Sequence, residues 1–262
     1  MSRRLLALAL TMALALPPAL LLVLSLSRYW TYPAIWPQRF QVSQWLSVFS
    51  GAQGVTSALF NSVAMASSVA VLATVAGFVT SWRVAVHPRR DRLIALAHLP
   101  FALSPVVFGV SLLFVFIRLH LAGKPAGVVM AQWVFAYGYA VILLTGFWNQ
   151  QVDALSGVAC SLGATRYQLW SRVLLPHAAG ILAVCFFQTF LISWFDYALV
   201  LLIGAGKVPT LTMRVFEYFG SGDVRLAATC ALLLMSPPLL MLMINRRVLQ
   251  MQLAARERWS DV

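Results

Sequence analysis

The sequence predicts an all-α integral membrane protein with six transmembrane helices. Hydrophobic residues make up 61% of the chain, charged residues 10%, and the mean hydropathy is +0.84, whereas soluble domains are about 45–50% apolar and about 25% charged. A helix of about 20 apolar residues crosses the hydrocarbon core, and backbone polar groups find no partners in lipid, so spans of this length should be helical. Six stretches qualify, at 5–27, 57–82, 93–117, 125–148, 178–203 and 226–245.

The first apolar stretch has two interpretations. Arg3 and Arg4 precede it, as basic residues precede a cleaved signal sequence. Its apolar run is about twice the usual length for a signal, however, and it lacks a clear pattern of small residues at its exit. We therefore expect it to be retained as the first transmembrane helix.

The distribution of basic residues predicts the orientation. With the N-terminus inside, twelve of the nineteen Lys and Arg residues fall in inner segments and seven in outer ones, and the inner bias is densest at 83–92. Short basic loops face the cytoplasm, so both termini are predicted to be cytoplasmic. The net charge of +12 is spread over many loops without an aromatic-interleaved patch, which favours the lipid bilayer as partner and excludes nucleic acid.

Three regions follow from this organisation: residues 1–54 hold the first helix and an outer loop, 55–245 the main membrane domain, and 246–262 a basic cytoplasmic tail. No metal site is predicted, because the four histidines are dispersed and the three cysteines show no paired spacing.

A moderately polar segment at 149–177 separates the fourth and fifth apolar stretches. Asp153 can cap a short helix, and Ala154, Val158 and Leu162 recur at four-residue intervals on one face. Gly163 is placed to end this helix in a left-handed conformation.

A second short helix is predicted directly after the glycine. Thr165 and Gln168 have the spacing of a capping box, and Pro176 should end the helix because it cannot donate the next hydrogen bond. Two helices bent at a glycine carry an apolar face that needs a partner. That partner is either a separate protein or the chain's own helix ends.

The spacing within this segment resembles the cytoplasmic coupling loop of type I ABC importer permeases. That loop has the pattern EAA, two variable residues, a hydrophobic residue and Gly, followed thirteen positions later by Pro. Pro176 lies thirteen positions after Gly163. Gly157 and Val158 stand where the family has Glu and its first Ala, so the contact made by that Glu is in question. The matching residues are Ala159, Leu162, Gly163, Ala164, Val173, Leu175 and Pro176, with Gln168 and Trp170 at positions where Gln and an aromatic are common.

The resemblance implies the MetI-like fold of these permeases and a place in the bacterial inner membrane. It also implies three kinds of protein partner: a cytoplasmic ATPase dimer, a second permease subunit and an extracytoplasmic solute-binding protein. The 149–177 loop, with Asp153 in its first helix, would dock in a groove on the ATPase. ATP and Mg would be bound by that partner, so this chain should hold no cofactor and no catalytic residue.

Asp196 is the only charged residue within the six stretches. A carboxylate at membrane depth is costly unless it faces a partner or a wet cavity, so it either lines the solute pathway or pairs with an outer arginine such as Arg214 or Arg225. Its surroundings, with Thr210 and Leu211, resemble the polyamine, iron and thiamine branch of these permeases. That resemblance implies a cationic solute with Asp196 as its counter-charge.

A six-helix secondary transporter or channel subunit is the alternative function. It would need no ATPase partner and no bent cytoplasmic loop of this spacing. Co-purification with an ATPase discriminates between the two.

Overall fold

The structure is a computed structural model that describes residues 3–28, 30, 36–37, 39–51 and 53–260. Several residues of the predicted first outer loop (29, 31–35, 38 and 52) lie outside this description. The helices of the described part are α1 (Arg3–Leu26), α2 (Ser43–Phe49), α3 (Val55–Ala85), α4 (Arg90–Ala97), α5 (Leu99–Ala102), α6 (Pro105–Arg118), α7 (Pro125–Thr145), α8 (Gln150–Ser161), α9 (Arg166–Gln168), α10 (Leu175–Trp194), α11 (Ala198–Gly204), α12 (Leu211–Gly220) and α13 (Val224–Ser260), with a π-helical turn at Leu169–Leu174 between α9 and α10.

The all-α class is confirmed for the described residues, where the only β pairing is an isolated bridge between Ser27 and Phe40. Within this part of the chain, five helices are long and apolar enough to cross a membrane, and the count of six stays a prediction. The five are Leu8–Leu26, Val55–Ala85, Pro125–Thr145, Arg166–Trp194 and Val224–Met241.

The third predicted span, 93–117, is not one continuous helix. It is divided into α4, α5 and α6, and only α6 is a long apolar piece. Leu103 and Ser104 have extended backbones, with ψ of 141° and 140°. The residue before a proline avoids the α conformation, so Pro105 forces the break at Ser104. The Ser104 hydroxyl then accepts a hydrogen bond from the Val106 N–H and caps α6.

The fifth predicted span, 178–203, is also divided. It starts earlier than predicted, since the candidate span begins at Arg166, and it ends at Trp194. Residues 195–197 interrupt it, and α11 follows as a separate short helix that stops at Ala205, whose φ is 47°. Hydropathy alone missed this break because both pieces are apolar.

The chain divides into two compact units. The first combines residues 1–58 with 211–262, and in it α13 packs against α1 and α12. The sixth predicted span and the predicted tail form one helix here, because α13 runs through to Ser260. The division into 1–54, 55–245 and 246–262 stays a prediction.

The second unit, residues 59–210, contains most of α3 and all of α4 to α11. Small residues bring α3 and α7 close together: a Cβ added to Gly77 would lie 2.5 Å from Ala140 Cβ. Close approach of small residues is how helices pack without a hydrophobic driving force in lipid. A hydrogen bond from Tyr137 Oη to Thr80 Oγ1, 2.9 Å long, joins the same two helices.

Candidate functional site

The first helix of the 149–177 loop is capped by Asn149. Its backbone is extended, and its Oδ1 accepts hydrogen bonds from the N–H groups of Gln151 (3.0 Å) and Val152 (3.1 Å). The prediction that Asp153 provides the cap is therefore wrong. Asp153 lies inside the first turn of α8, where its negative charge still favours the positive end of the helix dipole.

Gly163 ends α8 in the predicted left-handed conformation, with φ of 81°. The Ala164 N–H donates to the Ala159 carbonyl (3.1 Å) and the Gly163 N–H to the Cys160 carbonyl (3.0 Å). This pair of bonds is the Schellman motif, which satisfies carbonyls that a helix end would leave unpaired. The bend predicted at Gly163 is confirmed.

The predicted capping box at the start of the second helix is also confirmed. Thr165 Oγ1 accepts from the Gln168 N–H (3.3 Å), and Gln168 Oε1 accepts from the Thr165 N–H (2.9 Å). Only Ala164 separates this motif from Gly163. Both sides of the bend are thus fixed by local hydrogen bonds.

Pro176 does not end the second helix, contrary to the prediction. It is the second residue of α10, within a helical segment that continues from Arg166 to Trp194. The π-helical turn at Leu169–Leu174 precedes it, and the Leu175 N–H donates to the carbonyl of Trp170. A proline ring clashes with the carbonyl four residues back in a regular α-helix. The wider π turn relieves that clash, so the helix passes through.

The outer side of the bend is apolar and exposed. Leu162 is 83% exposed and Tyr167 80%, and Val158 is 58% exposed on the same stretch. Of the other predicted loop residues, Asp153, Gly163, Leu175 and Pro176 are exposed, and Ala159 and Ala164 are half-buried. On the inner side, Val152 and Leu174 are buried in the core that α3, α7 and α10 share. The loop therefore has one anchored side and one open apolar side.

A group of five aromatic residues, one of them in the loop itself, was not predicted. We call Phe78, Trp82, Phe147, Trp148 and Trp170 the aromatic cluster. The Trp170 ring centroid is 5.6 Å from that of Trp82, 5.8 Å from that of Phe78 and 6.0 Å from that of Trp148. Phe78 and Trp82 stand at the end of the predicted span 57–82, and Phe147 and Trp148 at the end of 125–148. Aromatic residues at two neighbouring span ends were the signal in the sequence that could have found the cluster.

Asp196 lies in the break between α10 and α11. Its Oδ2 accepts a 2.8 Å hydrogen bond from Gln132 Nε2, and its Oδ1 accepts a 3.4 Å bond from the Leu199 N–H in the first turn of α11. Ser193 Oγ donates to Gln132 Oε1 at 2.6 Å. Asp196 thus links α7 to the start of α11. In the other unit, Arg214 forms its ion pair with Glu217, at 2.8 Å.

A cavity of about 190 Å³ opens beside Asp196. Gln132, which is 2% exposed, is one of its polar lining residues. Sequence reasoning missed Gln132 and Ser193, although a glutamine inside an apolar span was a visible signal. The lining residues are Pro105, Gln132, Phe135, Leu191, Ile192, Phe195, Asp196 and Leu199.

Comparison with known proteins gives three relatives that are transport permeases. The chain is 35% identical over 136 residues to the molybdenum transport system permease protein ModB of Mycobacterium tuberculosis, and equally to that of Mycobacterium bovis; the match covers 46% of this chain and 51% of the relative. It is 28% identical over 171 residues to the trehalose transport system permease protein SugB of Mycobacterium tuberculosis, covering 64% and 62%. The chain thus spans about half the length of the ModB proteins it matches. No family model matches the chain.

The apolar helices and these relatives together indicate a multi-pass protein of the inner membrane that is similar to the permease proteins of transport systems. Their names as permeases agree with the transport role that the resemblance of the 149–177 loop implies. All three relatives are transport permeases, which agrees with the expectation that this chain is a transport subunit. The resemblance to the polyamine, iron and thiamine branch stays a prediction.

Proposed function

We propose that this chain is the permease subunit of an ATP-driven importer and that the 149–177 loop docks on a separate cytoplasmic ATPase. The observation that carries the proposal is the exposed apolar side of the bend, led by Leu162 and Tyr167. Burying a large apolar side chain contributes about 1.5–3 kcal/mol, so a groove that covers both side chains would bind this loop.

The construction of the bend supports a mechanical role. The Schellman motif at Gly163 and the capping box at Thr165 fix the backbone on both sides of the turn. A helix cap typically contributes about 1 kcal/mol, so the two motifs together oppose straightening of the loop. A bend of this kind passes a push or pull from the ATPase to the helices behind it.

The remaining partners follow from the same proposal. Both termini lie in the cytoplasm, two permease subunits enclose the pathway, and a solute-binding protein delivers the solute from outside. An ATPase dimer holds the ATP and Mg. In this arrangement α4, α5 and α6 together make the third of six crossings, and their broken backbone near Ser104 is tolerable at membrane depth only where protein covers it.

We place Asp196 on the solute pathway. The carboxylate borders the cavity beside α10, and Gln132, which donates a side-chain hydrogen bond to it, is uncharged. A negative group in such a cavity favours a cationic solute, which we retain as the proposed class. The names of the relatives mention molybdenum and trehalose. Transport of a neutral or anionic solute would therefore contradict the proposed cationic class.

Affinity isolation in mild detergent tests the assembly. The tagged chain is purified from its own host, and its companion chains are identified by mass spectrometry. We expect a soluble chain with the phosphate-binding loop motif of ATPases. Solute uptake by the purified chain alone, in proteoliposomes without ATP, would instead favour a secondary transporter or channel.

A further inference from the structure

The aromatic cluster joins the 149–177 loop to the C-terminal end of α3. Trp170, in the π-helical turn, places its ring edge-on against Trp82 and Phe78, with interplanar angles of 89° and 86°. Edge-to-face geometry is a favoured arrangement for aromatic pairs. The loop residue therefore contacts two rings of α3, one turn apart.

A hydrogen bond fixes the same junction from the side of α7. Trp148, which follows α7, donates its Nε1–H to Ser81 Oγ at 2.9 Å, and its ring stacks on Phe78 at 5.4 Å. Ser81 is fully buried, and its hydroxyl donates to the Phe78 carbonyl at 2.9 Å. A buried polar pair is costly to leave unmade, so this bond specifies one arrangement of α3 and the segment after α7.

The π-helical turn makes such a clamp necessary. Its hydrogen bonds close a wider ring than those of an α-helix, and π turns are commonly sites of local adjustment. Without lateral support, a force on the loop would be absorbed by bending at Leu169–Leu174. Trp170 lies within that turn and is held by three rings.

We propose that Trp170 and Trp148 are positioning residues that clamp the loop to α3, so that loop, α3 and the end of α7 move as one body when the ATPase pulls. This inference rests on the proposed function. It adds a specific route of force transmission, through side chains on the inner face of the loop rather than through the continuous helix into α10.

The test is the ratio of solute transported to ATP hydrolysed, measured in proteoliposomes that contain the complete complex. For Trp170→Ala we expect assembly and ATP hydrolysis to persist while the ratio falls about tenfold, because three aromatic contacts are lost. Trp170→Phe keeps a ring at this position and should restore most of the ratio. Phe190→Ala is the matched control: it removes a half-buried aromatic of α10 that stacks on Trp194, away from the loop, and should leave the ratio unchanged.

The outcomes separate this inference from the proposed function. If the wild-type chain binds no ATPase, the proposed function and the clamp are both refuted. If the complex transports solute and Trp170→Ala keeps the wild-type ratio, the clamp is refuted and the proposed function stands. Should Trp170→Ala fail to assemble, Trp148→Phe decides, because it keeps a ring and removes only the donor to Ser81. We expect a lowered ratio there and the same lowered ratio in Ser81→Ala, and an unchanged ratio in both would overturn the clamp.

Discussion

Gln132 and Asp196, 64 residues apart in the chain, are joined by a 2.8 Å hydrogen bond from Nε2 to Oδ2. Gln132 is buried, and its Oε1 accepts from Ser193 at the same time. The bond therefore connects the middle of α7 with the end of α10 and with the break before α11. It gives the lone carboxylate of the predicted spans a defined place beside the cavity.

Replacing Gln132 with Leu should destabilise the protein. The change leaves Asp196 Oδ2 and Ser193 Oγ without their partner, and an unsatisfied buried polar group costs about 1–3 kcal/mol. Thermal unfolding in detergent measures the effect. A midpoint equal to that of the wild type would mean that the Gln132–Asp196 bond does not contribute to stability.

Asp196→Asn should lower uptake while assembly is preserved. The Asn oxygen can still accept from the Leu199 N–H, and the Gln132 amide can rotate so that its oxygen accepts from the new amide. The counter-charge for a cation is lost, however. Uptake of labelled cationic and neutral solutes by the reconstituted complex checks this, and normal uptake of every transported solute would remove Asp196 from the pathway.

Gly163→Ala should weaken the bend. Any residue with a Cβ pays about 1–2 kcal/mol in the left-handed conformation that Gly163 adopts. We expect uptake to fall in the reconstituted complex while insertion persists. Gly157→Ala is the matched control, because Gly157 lies inside α8 with nothing within 4 Å of an added Cβ, and alanine favours a helix by roughly 1 kcal/mol over glycine. Equal uptake by the two variants would argue against a role for the bend.

Leu162→Asp should abolish ATPase binding without changing the stability of the permease. The side chain is 83% exposed, so the fold does not depend on it, whereas a charge in an apolar contact is unfavourable. Val86→Asp serves as the control, since Val86 is 69% exposed just beyond α3 and outside the 149–177 loop. Retention of the ATPase on the immobilised Leu162→Asp permease would contradict the docking role.

Gly77→Val should destabilise the contact between α3 and α7. An added Cβ would already lie 2.5 Å from Ala140 Cβ, so the larger side chain forces the helices apart. Overpacking of this kind costs about 1–3 kcal/mol. Thermal unfolding in detergent measures this effect. Gly180→Ala is the control, because Gly180 lies in α10 with nothing within 4 Å of an added Cβ. Equal unfolding midpoints for the two variants would show that α3 and α7 adjust freely.

Local signals in the sequence were reliable where the structural cause is also local. Gly163 and the Thr165–Gln168 pair were predicted correctly because a left-handed turn and a capping box depend on residues within a few positions. The N-cap of α8 was predicted wrongly, because Asn149 and Asp153 are both good capping residues. The choice between them depends on where α7 ends, which tertiary packing sets.

Breaks within apolar stretches were the main failure. Hydropathy averages over a window, so it joined α4, α5 and α6 into one span and α10 with α11 into another. Pro105 marked the first break in the sequence. The second depends on Asp196, whose bonds to Gln132 and Leu199 combine a distant partner with a local one.

Contacts between distant segments were outside the reach of sequence reasoning. Trp148 and Ser81 are 67 residues apart, and no pattern in a single sequence pairs them. The same holds for Trp170 with Phe78 and Trp82. The outer face of the loop was visible as a periodic apolar pattern, and the inner face that holds it was not.

Site-specific photocrosslinking at Leu162 tests the central claim most directly. A photoreactive amino acid is placed there in cells of the native host, with Val86 as the reference position, and the adducts are identified after irradiation. We predict that Leu162 crosslinks to a cytoplasmic chain carrying ATPase motifs and that Val86 does so far less. Adducts at Leu162 only with extracytoplasmic proteins or lipid, in cells that actively take up the solute, would contradict the account.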